Sequence, residues 1–471
     1  MPRYETSNYL QMKKVVNTNK GFKIQNNQLY CAFCNCFVKY DALHGSDNVA
    51  KHKRTFKHTK HMQEPRQPSI TESVGKLADK VSDQSFFNER LTDLIIECNF
   101  SFYSLKRPIF RSFIEDFTQF ALPDESTLRK AYIHKLYEIK MESIRNIIGH
   151  DDIYLIIDEM TDAEQRYVVN ILVGVLNGNP SKPMLIYSKS VEIVNHSTIF
   201  QSINNCASII WMKEVKYDKM KLIVSDQAPY MVKAMEMVKT LFPNVNHVTC
   251  IAHCLHRVSE KIRSENTEIN DAVSLLKALL SKSPSRKQLF RNTTNLPLPP
   301  SVVITRWGSW LNFCIYFGEN YSKILSFCRE VPYGNKVNKL LEIIEKNAFK
   351  TKLVELNQYR CIIDGLQHLQ KSNETLANQF KIIMEIKKIL RGSVLLKMES
   401  SLSKNPDLAK ISGSSMSVEE RIKFTYAPIV SVDVERSFSQ YNDILRDNRR
   451  NLTSVHIEQL LIVKYNCFMN K

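Results

Sequence analysis

The chain lacks any apolar run approaching the roughly 18 to 20 residues that a membrane-spanning helix needs, and its first residues, Met1-Pro-Arg-Tyr-Glu, do not read as a signal peptide. No membrane association is expected. Glycine is scarce, at 12 of 471 residues, and no low-complexity tract interrupts the sequence. Both absences argue against a long disordered tail and for compact, helix-rich domains. A disulfide framework is missing as well: the 11 cysteines are odd in number and scattered, the pattern of reduced thiols in an intracellular protein. No internal repeat is present.

An apolar fraction of 43% is enough to build several cores, and the length fits about three or four domains. The net charge of +17 is spread along the whole chain. A polyanion is the natural partner of such a chain, because each neutralised phosphate releases a counterion. Charge alone does not separate nucleic acid from an anionic membrane surface; the missing spanning run favours nucleic acid.

Residues 1–22 are polar and basic without sustained periodicity, and a mobile basic arm is expected there. Residues 23–66 hold a metal-ligand pattern. Over 67–85 the composition turns to Pro, Ser, Thr, Asp and Lys, and Pro68-Ser-Ile-Thr-Glu-Ser73 resembles a cap signal opening a linker helix. Over 86–148 apolar residues recur at helical spacing: Leu91, Leu94, Ile95 and Cys98, then Ile109, Phe110, Phe113 and Phe117, then Tyr132, Leu136 and Ile139. A small all-α domain of three or four helices, serving DNA binding or dimerisation, is expected.

The texture changes at Ile153. Strands are expected at 153–157, 167–176, 183–194, 221–224 and 245–249, with helices at 197–212 and 230–241. Three antiparallel strands followed by two parallel ones through helical crossovers is the order of a ribonuclease-H-like sheet. Residues 252–423 read as helix after helix, with a Pro-rich loop at 292–300, and residues 424–471 again resemble part of the sheet domain. The expected fold class is therefore α/β: a ribonuclease-H-like domain (149–251 and 424–471) split by an all-α insertion (252–423), preceded by a zinc finger and a small helical domain.

The pattern Cys31-Ala-Phe-Cys34, a 17-residue gap, then His52-Lys-Arg-Thr-Phe-Lys-His58 has metal-ligand spacing. A knuckle brings two thiolates together, and two imidazoles on one helix complete a tetrahedron around zinc. Cys36 and His61 are nearby alternative ligands, and Phe37 and Phe56 are expected to fill the small core. Lys51, Lys53, Arg54 and Lys57 on the same helix, with Lys60, form the cationic surface that a groove-binding finger presents to DNA.

Three acids stand out. Asp158 ends the apolar run Tyr154-Leu-Ile-Ile, Asp226 ends Leu222-Ile-Val-Ser, and Glu435 opens a helix in Val434-Glu-Arg-Ser-Phe-Ser439. In a ribonuclease-H-like sheet the first strand lies beside the fourth, so Asp158 and Asp226 would face each other with Glu435 against them. Three mutually repelling carboxylates call for cations, and an oxygen-ligand site for two hard divalent ions, Mg²⁺ or Mn²⁺, serves phosphoryl transfer. Glu159, Asp162, Asp433 and Asp443 compete for these roles; Asp162, four residues past Asp158, reads as a turn or cap group.

In these motifs the chain resembles the hAT superfamily of DNA transposases with a BED-type zinc finger. The resemblance rests on Asp158-Glu-Met-Thr-Asp162, Ser225-Asp226-Gln-Ala228, Cys250-Ile-Ala-His253, Thr305-Arg306-Trp307, and Ser431-Val-Asp-Val-Glu435-Arg-Ser-Phe-Ser439 followed by Arg449-Arg450-Asn-Leu452. Residues 1–140 also resemble the vertebrate CGG triplet repeat-binding protein, a domesticated relative. The resemblance implies that Asp158, Asp226 and Glu435 are catalytic metal ligands and that His253, supported by Cys250, approaches the scissile phosphate. It further implies that Arg306 and Trp307 contact DNA, with Trp307 stacking on a distorted base. His256 on the same helix is the rival of His253, and the alternative for Trp307 is a core aromatic sharing its face with Trp310. The family usually has Trp where Met160 stands, and the insertion here is short for it. The implied function is metal-dependent DNA strand cleavage and transfer in the nucleus by a homo-oligomer acting on double-stranded DNA, the alternative being a domesticated, catalytically silent DNA-binding regulator. The C-terminal residues Ile457, Leu460, Leu461 and Val463 would form a dimerisation surface in the family, and would equally pack on the chain's own sheet.

Overall fold

The computed structural model describes residues 3–41, 44–63, 70–302, 308–332, 334–371, 373–413, 416–445 and 452–470. The chain divides into two compact units, Met1–Phe87 and Asn88–Lys471.

The first unit is built on a three-stranded antiparallel meander, β1 (Phe22–Gln25), β2 (Gln28–Cys31) and β3 (Cys36–Val38). Asn26 and Asn27, both at positive φ, make the two-residue turn between β1 and β2. Asparagine tolerates that conformation, and the turn's twist matches the strands it joins. The expected mobile arm is instead a helix, Arg3–Thr18. Met12, Val15 and Val16 repeat at helical spacing on one of its faces and pack on the core of Phe22, Leu29, Val38 and Val49. Phe37 and Phe56 do not fill this core, being 49% and 83% exposed: Phe37 lies edge-on to Tyr30, and Phe56 opens a helix on its solvent side. The expected single histidine helix is two, Gly45–Lys53 and Phe56–Gln63. Thr55 breaks it, its hydroxyl donating to the His52 carbonyl (2.7 Å) and accepting from the His58 N–H (3.3 Å), as a helix-starting cap does.

The second unit centres on a five-stranded sheet of order β6-β5-β4-β7-β8: β4 (Asp152–Thr161), β5 (Tyr167–Leu176), β6 (Met184–Val191), β7 (Met220–Ser225) and β8 (Asn246–Thr249). β4, β5 and β6 pair antiparallel, whereas β7 and β8 join parallel. Parallel addition needs a crossover, supplied by the helices His196–Ile210 and Pro229–Leu241. Ile153 to Ile157 on β4 and Leu222 to Val224 on β7 are fully buried or nearly so, which fixes the central strands as continuous apolar runs. Two late helices return to this sheet: Val432–Ile444 packs on β4 and β5, and Ser454–Tyr465 on β6 and on the helix Ile133–Ile148. Ile457, Leu460, Leu461 and Val463 are buried in that packing, so the residues considered for dimerisation lie inside the chain.

Between β8 and residue 423 the described residues form helices throughout, from Ile251–Glu265 to Val418–Lys423. In the small helical part, Leu91, Ile95 and Leu136 are buried as their spacing predicts. The helix Pro108–Thr118, by contrast, buries no residue, and Ile109, Phe113 and Phe117 are 78%, 59% and 77% exposed. Among the described residues no helix is long and apolar enough to cross a membrane.

Candidate functional site

Strand β4 runs four residues past Ile157, so Asp158 lies within the strand and not at its end as expected. Its parallel neighbour β7 pairs only as far as Ile156–Val224, while β5 accompanies it to Thr161. Asp158 and Glu159 therefore sit where β4 has lost its partner on one side. Asp226 follows β7 directly, the helix Ile251–Glu265 starts just after β8, and the helix Val432–Ile444 lies across β4 and β5.

Asp158, His253 and Glu435 each offer a ligand atom within 4.8 Å of the others. Asp158 is 6% exposed and its Oδ2 meets no hydrogen-bond donor among the described residues, while Oδ1 accepts from the Glu159 N–H at 3.0 Å. Burial pushes the Asp158 carboxyl well above the usual range; His253 counteracts this, and Glu159, Glu435 and Asp226 reinforce it. Burial likewise raises Glu435, against the pull of His253. Burial opposes the His253 imidazolium, yet the Cys250 thiol, Asp158 and Asp226 together raise its pKa to about 9. Asp226 lies outside the 4.8 Å group, although its charge acts on Asp158, Glu159, Tyr230 and His253. Its Oδ1 accepts from the Ala228 N–H at 3.1 Å. A buried carboxylate oxygen without a donor, beside a second carboxylate, is suited to a divalent cation, and the His253 imidazolium alongside is suited to an anion.

The cluster is assembled by backbone ties. The Cys250 N–H donates to the Ser225 carbonyl (2.7 Å), the Ile251 N–H to the Ile429 carbonyl (3.0 Å), and the Ser431 N–H to Cys250 Sγ (3.1 Å). Cys250 thus joins β7, the His253 helix and the start of the Glu435 helix. Asp162 is a turn group as expected and also more than that. Its oxygens accept from the Glu164 N–H (2.9 Å), the Arg166 N–H (2.9 Å), Arg166 Nε (2.8 Å) and the Tyr441 hydroxyl (3.2 Å), the last from the Glu435 helix. Asn170 Nδ2 on β5 donates to Ser437 Oγ on the same helix at 2.8 Å. The role of Asp162 across 279 positions had no sequence signal. The neighbouring Glu159 is bonded by the hydroxyl of Tyr230, whose place one helical turn after Asp226 was a signal open to reading.

The rivals separate. His256 lines a cavity with Glu260, Arg263 and Trp310, is not among the ligand atoms grouped with Asp158 and Glu435, and burial lowers its pKa. Trp310 is 4% exposed, a core aromatic. Asp433 pairs with Arg436 at 2.6 Å. Arg306, Trp307 and the basic stretch Arg446–Asn451 lie outside the described residues.

In the first unit, one ligand atom each of Cys31, Cys34, His52 and His58 lies within 4.8 Å of the others. His58 Nδ1 stands 3.4 Å from Cys31 Sγ and 3.3 Å from Cys34 Sγ, near the edge of about 3.5 Å that a tetrahedral zinc site sets between sulfur and nitrogen. His52 Nε2 is buried without a hydrogen-bond partner. Burial and the neighbouring Cys31 push the Cys34 thiol up to about 11, and burial lowers both histidines. Low imidazole pKa values keep the rings neutral, as ligands must be. This cluster can bind zinc. Cys36 is half-buried on β3, and the side chain of His61 lies outside those described. Lys51, Lys53, Arg54, Lys57 and Lys60 are all exposed around it.

Residues 123–282 match the family model described as "Domain of unknown function (DUF659)", a domain associated with hAT transposases and, in hAT proteins, with oligomerisation. The match contains Asp158, Asp226 and His253; the Cys/His cluster and Glu435 lie beyond it. No curated protein matches the chain.

Proposed function

We propose that the chain is a DNA transposase of hAT type, working as a homo-oligomer in the nucleus, with its sheet a ribonuclease-H-like catalytic core. The observation that carries this reading is the donorless, buried Oδ2 of Asp158 beside Glu435 and His253, on a sheet whose strands run in the order and directions of that core. The match of residues 123–282 to a hAT-associated domain supports it independently.

Asp158, Glu435 and Asp226 would hold the divalent cations, Mg²⁺ or Mn²⁺. When bound, these supply Lewis acidity to a phosphodiester and lower the pKa of an attacking water or hydroxyl. The chain's own contribution is placement. The sheet and the Asp162–Tyr441 and Asn170–Ser437 ties fix the carboxylates, and His253, kept cationic by its surroundings, pairs with a phosphate oxygen as charge develops there. Attack of water oxygen on phosphorus with loss of the 3′-oxygen leaves a 3′-hydroxyl. On the flanking DNA that hydroxyl attacks the opposite strand, closing a hairpin and releasing the 3′-hydroxyl of the element end, which then attacks a target phosphorus and displaces the 3′-oxygen bonded to it. The Cys31, Cys34, His52 and His58 set would hold structural Zn²⁺, and Lys51, Lys53, Arg54 and Lys57 would dock the finger on double-stranded DNA.

The test is strand cleavage with Mg²⁺ or Mn²⁺ on DNA carrying the element's terminal inverted repeats, which are first sought by sequencing the flanks of the gene. Wild type is expected to nick the repeat ends and Glu435→Ala to be inert while still binding. Equal inertness of both proteins, with binding retained, would overturn the enzyme and leave a domesticated DNA-binding regulator.

A further inference from the structure

We propose that Phe56 is a base-contacting residue of the first unit, its phenyl ring packing on the C5-methyl group of a thymine in the major groove of double-stranded DNA; this rests on reading the Cys/His cluster as part of a DNA-binding finger. Phe56 is 83% exposed, the most exposed of the large apolar side chains among the described residues. Its outward direction follows from the metal-ligand set. His58 turns inward to the cluster and is 2% exposed, and residues two apart on a helix point about 200° apart. Thr59 and Lys60, three and four positions on, share the outer face with Phe56 and are exposed as well. The break at Thr55 makes Phe56 the first residue of its helix, directly after Arg54, which closes the preceding one. Helices that enter a DNA groove present their N-terminal residues to base edges.

A single exposed apolar side chain would mean little by itself; its setting points to DNA. Over residues 44–63 five cations, Lys51, Lys53, Arg54, Lys57 and Lys60, stand against one acid, Asp47. Lys51, Arg54 and Lys57 have no ion-pair partner among the described residues, and Lys53 bonds the neutral Asn19 side chain. An apolar protein surface docking on Phe56 would have to strip water from those cations without compensation. A DNA groove instead brings phosphates on both sides of the ring, and the one apolar group that base edges offer there is the thymine methyl.

The test is selection of duplexes from a random-sequence library by the full-length, zinc-loaded protein. Binding is then measured over a range of salt on the selected duplex and on copies with uracil replacing each thymine in turn, for wild type, Phe56→Ala and Lys57→Ala. Wild type is expected to lose about four- to tenfold in affinity when uracil replaces one particular thymine. Phe56→Ala should bind the thymine and uracil forms alike, no tighter than wild type binds the uracil form, with the salt slope, zinc content and Tm unchanged. Lys57→Ala should keep the thymine preference and lower the salt slope by about one. Wild-type affinity in Phe56→Ala, or no thymine preference that depends on Phe56, would overturn the inference while leaving the finger reading intact. So would a changed oligomeric state of DNA-free Phe56→Ala in sedimentation, which would assign the ring to a protein contact. Absence of any DNA binding sensitive to Lys57→Ala or Cys34→Ser would overturn both.

Discussion

Replacing Asp162 by alanine should loosen the grip of the sheet on the Glu435 helix. The carboxylate side chain is fully buried, pairs with Arg166 at 2.8 Å, accepts two backbone N–H groups, and reaches the Tyr441 hydroxyl at 3.2 Å. Removing the carboxylate leaves the Glu164 and Arg166 N–H groups and the Tyr441 hydroxyl without their acceptor, while Arg166 keeps Glu164 at 2.9 Å, and costs about 3 to 5 kcal/mol in all. In a unit as large as Asn88–Lys471 that corresponds to a fall of about 4 to 6 °C in Tm. Because both changes remove the same Asp162–Arg166 contact, Asp162→Ala combined with Arg166→Met should be less damaging than the two single changes added together. Burial alone would raise the Asp162 carboxyl, but the hydrogen bonds from Arg166 and Glu164 outweigh it and hold the pKa below its usual value. The stabilisation is therefore present above the unfolded-state value of about 3.9 and is lost as pH falls through the lower folded value. Calorimetry of the four proteins at neutral pH is the assay. A Tm for Asp162→Ala within about 1 °C of wild type, or strict additivity with Arg166→Met, would refute the reasoning.

Cys34→Ser should abolish zinc uptake, because a thiolate is lost from a four-ligand set, and should weaken DNA binding; zinc stoichiometry by elemental analysis checks it. Leu461→Ala, at a position with 0% exposure, should destabilise the chain by about 2 to 5 kcal/mol without changing its oligomeric state in sedimentation, since that face packs internally. Asp407 is pulled down to about 2: burial opposes this, but Lys239, Lys410 and the His247 N–H together prevail. Acid titration of stability between pH 4 and pH 2 should therefore show a loss that Asp407→Asn reduces, measured by urea unfolding at each pH.

The sheet was legible because its strands announce themselves: runs such as Tyr154 to Ile157 and Leu222 to Val224 are buried on both faces and so lack polar interruption. The end of β4 was not, because Asp158 to Thr161 is polar sequence kept in the strand by pairing with β5 alone, a tertiary effect that no local pattern carries. The cluster of Cys31, Cys34, His52 and His58 was readable from spacing. The core beneath them was not, since Phe37 and Phe56 look like core residues by type, while the cluster is closed by Met12, Val15 and Val16 from a helix with a sparse apolar face. The helix Pro108–Thr118 misleads in the same way: its apolar stripe is regular, but among the described residues nothing buries Ile109, Phe113 and Phe117. At the acidic site, Asp158, Asp226 and Glu435 could be proposed from strand and helix ends. The positions of His253 within ligand reach of Asp158, and of Cys250 as the tie between three elements, depend on hydrogen bonds to Ser225, Ile429 and Ser431 that only the fold creates.

The most direct test of the cation centre is anomalous diffraction from crystals of the protein soaked in Mn²⁺. Density is expected against Asp158 Oδ2 and the Glu435 carboxylate, and should vanish in Asp158→Asn; an occupied zinc position at Cys31 and Cys34 with no Mn²⁺ peak near Asp158 would contradict the account.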